Sequence, residues 1–415
     1  MNFLRNINKL LLLIFYISIF LFIIYLTYLI NSKEPRNKDT RRILKSIFNN
    51  GTISQHIFND YREQYLPNTQ FIKLNYKRIN LDFLKLNSCY FGDCYTFYLE
   101  QYQDNLIITD KYGVFRFAKV NEIKQNINNL SIIKSNLDFD TILDTFIVDN
   151  SIFISGKKII SNEDTELHVA RADLNFNELK FQNVIKLKSK KCFFRHAVHS
   201  GKIQSNKSNK KQIILSVNSS ADNEGLENLR PDSVCGKTLL IDVESGEFEI
   251  FTSGHRNIIG MYSDDDVILA TEHGPFAGDE INNIQQGLSY GWPVSSYGEK
   301  YSRGQSNEPP NYKKSHKEHG FQEPIFSFVP AIGISEIIKL PNNFSEMWQD
   351  NFLIASLNGK YLYRVKFDSE YEKVIYHERI FIGDRIRDIL YNNDNKEIYL
   401  SLELDGELGI ISKSQ

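Results

Sequence analysis

The stretch Thr271-Glu272-His273-Gly274-Pro275-Phe276-Ala277-Gly278-Asp279-Glu280-Ile281-Asn282 carries groups able to do chemistry. A Gly-Pro pair favours a turn, and the carbonyls of Gly274 and Pro275 can point at one spot. Carbonyl and carboxylate oxygens are the ligands that hard cations such as calcium prefer. Asp279 and Glu280 put two carboxylates nearby. Taken alone, the same residues also make an ordinary acidic turn. The cysteines are Cys89, Cys94, Cys192 and Cys235, and the first two bracket Tyr-Phe-Gly-Asp, a spacing that a local disulfide closes. No paired C-x-x-C is present, which argues against zinc. His316 and His319 lie in a polar segment, 299–320, that also holds Pro309-Pro310. A long polar loop in a compact domain is usually functional or disordered.

These residues need a scaffold, and the chain is long enough for one. It has 415 residues, 41% hydrophobic and 13% aromatic, enough for one large core or two medium ones. A net charge of −2 gives no overall pull toward nucleic acid or acidic lipid. Residues 10–30 form an uncharged apolar run. A helix of that length spans a hydrocarbon core of ~30 Å. The run ends in Tyr28-Leu29-Ile30-Asn31-Ser32 without a small-residue cleavage site, so residues 1–32 read as an uncleaved membrane anchor. Arg5 and Lys9 precede the run, whereas Lys33, Arg36, Lys38, Arg41 and Arg42 follow it. By positive charge alone the C-terminal side is cytoplasmic. Residues 33–70 read as a polar, partly helical stalk.

From residue 71 onward, short β-branched and aromatic runs alternate with turn residues. Leu106 to Thr109 and Val114 to Phe117 flank Asp110-Lys111-Tyr112-Gly113, a hairpin pattern. Leu239 to Asp242 with Phe248 to Phe251, and Glu397 to Leu402 with Leu408 to Ile411, repeat it. No long amphipathic helix interrupts them. An all-β chain of this length is too large for one ordinary sandwich, and suits six four-stranded propeller blades over residues 71–415.

The acidic turn continues to Gly287-Leu288-Ser289-Tyr290-Gly291-Trp292-Pro293, and together they resemble the E-H-G-P-x-x-G-D-E-[IL]-N…Y-G-W-P motif of the glucose/sorbosone dehydrogenase family. Gly254-His255-Arg256-Asn257-Ile258-Ile259-Gly260 resembles its G-H-R-N-x-x-G. Gly236-Lys237-Thr238-Leu239 and Arg385-Ile386-Arg387-Asp388 resemble two further family strands, in the family's order. The resemblance implies a six-bladed β-propeller that holds pyrroloquinoline quinone (PQQ) and calcium on one face and oxidises a sugar or alcohol. It implies that Arg256, Asn257, Arg385 and Arg387 hold the cofactor, with Lys360 in reach. It implies that the Gly274 and Pro275 carbonyls bind the cofactor's calcium, and that Glu280 and the Tyr290 carbonyl bind a second, structural calcium. His273 and Asp279 fall at positions facing substrate. Family members work outside the inner membrane, so the propeller is expected in the periplasm, passing electrons to a membrane acceptor.

The first half of the domain departs from the family. In Phe193-Phe194-Arg195-His196-Ala197-Val198-His199-Ser200-Gly201-Lys202-Ile203, the residue at the spacing of the family's base is Val198. His199 becomes the counterpart if the chain lacks one residue there, with His196 the other candidate. Asn358 stands where some members have a cofactor-contacting Lys, and Lys360 is close by. Two functional classes follow: a PQQ- and calcium-dependent dehydrogenase, and a binding propeller that kept the scaffold and lost redox chemistry. A propeller hydrolase requires a fuller cage of carboxylates and Asn residues than this chain offers.

Overall fold

The computed structural model describes residues 72–84, 95–123, 130–161, 164–188, 192, 200–206, 209, 211–219, 226–299 and 312–414. The apolar run 10–30, the stalk, Cys89, Cys94, His196 and His199 lie outside them. Among the described residues no helix is long and apolar enough to cross a membrane. Their one α-helix is a single turn, α1 (Val120–Ile123).

Among the described residues twenty-five strands form six sheets, antiparallel except for the parallel pairing of β5 with β9. The first blade is β2 (Phe97–Tyr102), β3 (Asn105–Asp110), β4 (Phe115–Lys119) and β5 (Ser131–Ser135), extended by β9 (Glu178–Leu179). The second is β6 (Thr141–Val148), β7 (Ser151–Ile159), β8 (Thr165–Asp173) and β10 (Gln182–Lys188). The third is β11 (Ile203–Ser205), β12 (Gln212–Ser216), β13 (Thr238–Asp242) and β14 (Phe248–Thr252). The fourth is β15 (Ile258–Ser263), β16 (Ile268–Glu272), β17 (Asp279–Asn283) and β18 (Phe326–Phe328). The fifth is β19 (Ile334–Lys339), β20 (Asn351–Ser356), β21 (Tyr361–Phe367) and β22 (Val374–Phe381). The sixth takes β23 (Ile386–Asn392), β24 (Glu397–Leu402) and β25 (Glu407–Lys413) from the C-terminus and β1 (Leu74–Asn80) from the other end of the domain. All three hairpins expected from sequence are present, as β3–β4, β13–β14 and β24–β25.

The first strands β2, β6, β11, β15, β19 and β23 neighbour one another in that cyclic order. The chain is therefore a six-bladed propeller. The pairing of β1 with β25, from Leu74↔Lys413 to Asn80↔Glu407, closes the ring with main-chain hydrogen bonds. Six apolar clusters fill the clefts between successive blades; one joins Leu353 and Ala355 of β20 to Ile398 and Leu400 of β24. This explains the two strand patterns. The mid-blade strands β20 and β24 are buried along their whole length, because a blade covers each face. The outer strand β22 alternates between partly buried and exposed over most of its length.

The axis poses a different problem. Each first strand is an edge, with main-chain groups that no further strand can pair. Side chains from neighbouring blades pair some of them. Asp144 of β6 accepts the Ile203 N–H at 2.8 Å, and Asp388 of β23 accepts that of Leu99 at 2.7 Å. Glu336 of β19 accepts the Met261 N–H at 3.3 Å. Tyr98 of β2 donates to the Ile142 carbonyl of β6 at 3.3 Å, Gln204 to the Met261 carbonyl at 3.2 Å and Ser335 to the Ile386 carbonyl at 2.6 Å. All six junctions between blades carry such a bond. Lys202 sits among the acids, paired with both Asp144 and Glu336.

Burial sets the charge state of this ring. It raises Asp388 to about 7, with Glu336 adding to the rise, and Asp144 to about 6 against the pull of Lys202. Burial also works against the Lys202 ammonium, but Asp144, Glu336 and Asp388 hold its pKa well above the usual lysine value. An acid whose pKa is raised by folding binds more protons folded than unfolded between the two values. Its contribution to stability therefore falls as pH climbs from about 4, the unfolded value, through 7. Asp388→Asn is expected to flatten the pH dependence of unfolding free energy between about pH 5 and 7 by up to ~1.4 kcal/mol per pH unit, the slope of one proton. Urea unfolding across that range measures it, and an unchanged slope would mean that Asp388 is ionised in the fold.

Candidate functional site

Antiparallel alternation puts two kinds of segment on the same rim: the approach to each first strand and the turn between the second and third. Arg256 and Asn257 precede β15, and Arg385 precedes β23. The Gly274 turn joins β16 to β17, Lys360 lies in the turn between β20 and β21, and Glu403 lies between β24 and β25. The motifs thus meet on one face because of topology, although they are far apart in sequence. A cleft opens there, lined by Arg256, Glu272, His273, Gly274, Glu280 and His316 among others.

Glu272, at the end of β16, organises the first wall. One carboxylate oxygen accepts the Arg256 main-chain N–H; the other lies 2.9 Å from Nδ1 of the buried His255. His255 Nε2 lies 2.7 Å from Thr252 Oγ1, and its ring stacks on Tyr290 at 4.8 Å. Arg256 is thereby fixed at its backbone, while its Nη1 donates to the His273 carbonyl at 3.1 Å. Its guanidinium stands 5.5 Å from the Trp292 ring centroid. Trp292 donates through Nε1 to Ser219 Oγ at 2.8 Å. Asn257 is buried, and its carbonyl accepts the His273 N–H at 2.9 Å.

The Gly274 turn is held from below. Asp279 Oδ1 accepts the Gly274 N–H at 3.0 Å, and Oδ2 accepts those of Ile332 and Ile334 at 2.9 and 3.0 Å. The sequence reading set Asp279 to face substrate. Its carboxylate instead lies buried beneath the turn, because those main-chain groups need an acceptor there. Gly274 is required by space, since a Cβ would come within 2.2 Å of the Gly278 carbonyl oxygen. Among the described residues no donor reaches the Gly274 or Pro275 carbonyl. His273 donates from Nε2 to the Ile334 carbonyl at 2.6 Å. Burial, with Arg256, Arg387 and Arg385 nearby, lowers its pKa to about 3, so it stays neutral.

Glu403 organises the opposite wall. Fully buried, it accepts from Arg385 Nε at 3.0 Å and from Arg387 Nε and Nη2 at 2.7 and 3.1 Å. No described group takes the terminal amino groups of Arg385, which keep their capacity for an anion. Asp384 Oδ1 accepts the Arg385 N–H at 2.6 Å, and Oδ2 accepts Arg78 of the closing strand at 2.6 Å. Lys360 has a left-handed backbone, φ 59°, and its carbonyl accepts the N–H groups of Ile382 and Gly383, both at 3.1 Å.

The expected second cation position looks different. Glu280 faces His316 Nε2 at 3.3 Å and Asn282 Nδ2 at 3.3 Å. An imidazole therefore stands against the carboxylate, and this position does not fit a calcium ion. Glu403, Glu272 as an organiser, and the position of His316 against Glu280 are what sequence reasoning missed. An acid at the end of the apolar strand Ile398-Tyr399-Leu400-Ser401-Leu402 was the available signal for Glu403. Cys192 and Cys235 form a disulfide, Cα to Cα 5.4 Å, joining the approach to β11 with the turn before β13.

This rim sets guanidinium groups beside a turn whose carbonyls no described donor reaches. The glucose/sorbosone dehydrogenase family matches residues 96–410, and the chain belongs to that family. It is 32% identical over 170 residues to the aldose sugar dehydrogenase of Escherichia coli, covering 40% of this chain and 44% of that protein. It is also 32% identical over 162 residues to an uncharacterised Synechocystis protein, covering 39% and 38%. The matched region thus spans less than half of either relative. Among solved structures, the soluble aldose sugar dehydrogenase of Escherichia coli superposes with a TM-score of 0.67 at 21% identity, covering 82% of this chain and 100% of that one. The PQQ-bound aldose sugar dehydrogenase of Streptomyces coelicolor does so with a TM-score of 0.54 at 16% identity, covering 82% and 98%.

Glu403→Ala leaves the buried Arg387 and the partly buried Arg385 without their shared carboxylate and is expected to cost about 3–5 kcal/mol of unfolding free energy. Asp104, in an exposed pair with Lys119 at 3.4 Å, is the control. Its replacement by Ala is expected to cost under ~0.5 kcal/mol. Urea titration of both variants measures this, and equal effects would mean that Glu403 is not the clamp.

Proposed function

We propose that this chain is a membrane-anchored dehydrogenase that uses PQQ and calcium to oxidise a sugar or alcohol hydroxyl. The observation that carries this reading is the convergence of Arg256, Arg385 and Arg387 around His273, beside the unpaired carbonyls of Gly274 and Pro275. Guanidinium groups pair with carboxylates through charge-assisted hydrogen bonds, and carbonyl oxygens suit calcium. PQQ, when bound, supplies the hydride acceptor, with calcium as its Lewis acid.

The chain's own residues then divide the work. Arg256 and Arg385 grip the cofactor's anionic edge, with Asn257 and Lys360 beside them. Arg387, two of whose nitrogens are spent on Glu403, lends charge more than contact. His273 keeps a neutral imidazole with Nε2 committed, so it is a poor base near neutral pH. Removal of the substrate hydroxyl proton falls to His199, or to His196, on the approach to β11. The periplasmic placement rests on the apolar run 10–30 and on the Cys192–Cys235 disulfide, which suits an oxidising compartment. The basic flank of residues 33–42 pulls the other way, and an export decision against that flank is part of the proposal. A binding propeller without redox chemistry is the second reading, favoured by Val198 at the spacing of the family's base.

Reconstitution of the full chain with PQQ and calcium separates these readings. The dehydrogenase reading expects dye reduction with an aldose panel. Arg256→Ala is expected to weaken PQQ binding roughly 10- to 100-fold, the equivalent of ~1.5–3 kcal/mol for a hydrogen bond to a charged group. PQQ binding without dye reduction selects the binding propeller, and no PQQ binding overturns both. Alkaline phosphatase fused after Gln415 is expected to be active. Its silence, together with activity of a cytoplasm-only reporter, would overturn export.

A further inference from the structure

The connection from β17 to β18 does not cross the blade edge directly. It climbs beside the third blade, where Gly287 bonds to Phe251, Tyr290 to Ser253 and Trp292 to Gly254. It reaches the rim at the Phe276–Glu299 pair and returns through residues 312–325 to Ile281. His316 is the point at which the returning segment enters the wall of the cleft. Its side chain is 1% exposed, Nδ1 lies 2.9 Å from Ser295 Oγ, and the ring lies 5.2 Å from that of Tyr297. The backbone is shaped to admit it: a Cβ on Gly291, which has φ +94°, would stand 2.3 Å from His316 Nδ1. The segment around it is tied down by protein groups. Glu323 accepts from Tyr297 Oη at 2.6 Å, the Lys317 N–H at 2.8 Å and Ser315 Oγ at 3.3 Å.

We infer that His316 takes the place of the second cation, so that this chain fastens its long rim connection with an imidazole where the family resemblance implies a metal. The charge arrangement supports it. Glu280 and Glu272 are bridged by the side-chain amide of Asn282, at 3.3 and 3.4 Å. Each carboxylate also has its own histidine, His316 and His255. A calcium ion needs about six to eight oxygen ligands. Here a ring nitrogen faces the carboxylate that would supply the charged one. This inference borrows from the proposed function only the location of the cation position, and it stands or falls on metal count.

The full chain is equilibrated with calcium, freed of loose ions and assayed by elemental analysis, with PQQ binding followed separately. The wild type is expected to hold at most one calcium ion. His316→Asp, which returns an oxygen ligand to the position, is expected to hold one more than the wild type and to gain thermal stability on calcium addition. Two ions in the wild type overturn the inference, as does a folded His316→Asp variant that gains none. If that variant does not fold, the wild-type count decides alone. A wild type that binds neither calcium nor PQQ overturns the dehydrogenase reading. The His316 assignment then stands on the gain in His316→Asp.

Discussion

The ring of side chains on the propeller axis is the constraint on which the rest of the structure depends. Six first strands expose edges to a space too narrow for another strand, and buried main-chain groups demand partners. Asp144, Glu336 and Asp388 each reach across a junction to a neighbouring N–H, and Lys202 supplies positive charge between two of them. Desolvating so many charged groups is costly, and paired charges alone rarely repay it. The arrangement is intelligible as specification. Each carboxylate fixes which blade lies next to which, at what height, and so sets the rim from which the functional loops spring.

The rim repeats this logic. Arg256 is fixed through Glu272, and Arg385 and Arg387 are fixed through Glu403. In both walls a buried acid orients a base that must remain ready for a ligand. The acid offsets the mutual repulsion of three clustered cations and takes up some of their donors, leaving selected ones free. His273 registers the result. Partly buried and with three guanidinium groups nearby, it is neutral. An imidazole so placed orients neighbours and does not collect protons. Arg78 extends the chain of support to the closing strand, because it holds the same Asp384 that accepts the Arg385 N–H. Ring closure and rim geometry therefore share one carboxylate.

Much of this could be read from the sequence, and what could not has physical reasons. Hairpins such as Leu106 to Phe117 declare themselves because turn residues interrupt β-branched runs locally. The Gly274 turn was visible for the same reason, since Gly-Pro constrains only its own neighbourhood. The direction of Asp279 was not, because its partners at Ile332 and Ile334 are more than fifty residues away. Glu403 and His316 escaped likewise: each matters through a contact made only when distant strands are brought together. The pairing of Cys192 with Cys235 is of this kind. Local spacing pointed to Cys89 and Cys94, and spacing carries no information on a bridge between two turns.

The two halves of the domain also differ in how they are fastened, and this bears on where chemistry can reside. In the fourth and sixth blades, the rim is held by buried acids that each serve several donors. At the third blade, the rim is held by a disulfide and by Lys237, which donates to the Asn228 and Arg230 carbonyls, both at 3.0 Å. The first arrangement fixes charged side chains to within hydrogen-bond tolerance. The second fixes main chain and leaves side-chain direction to local packing. Ligand grip demands the former, because a misdirected guanidinium group loses its charge-assisted bond. A proton acceptor needs only reach and a suitable pKa. The grip and the base that we propose divide along the same line, the one from the later blades and the other from the approach to β11.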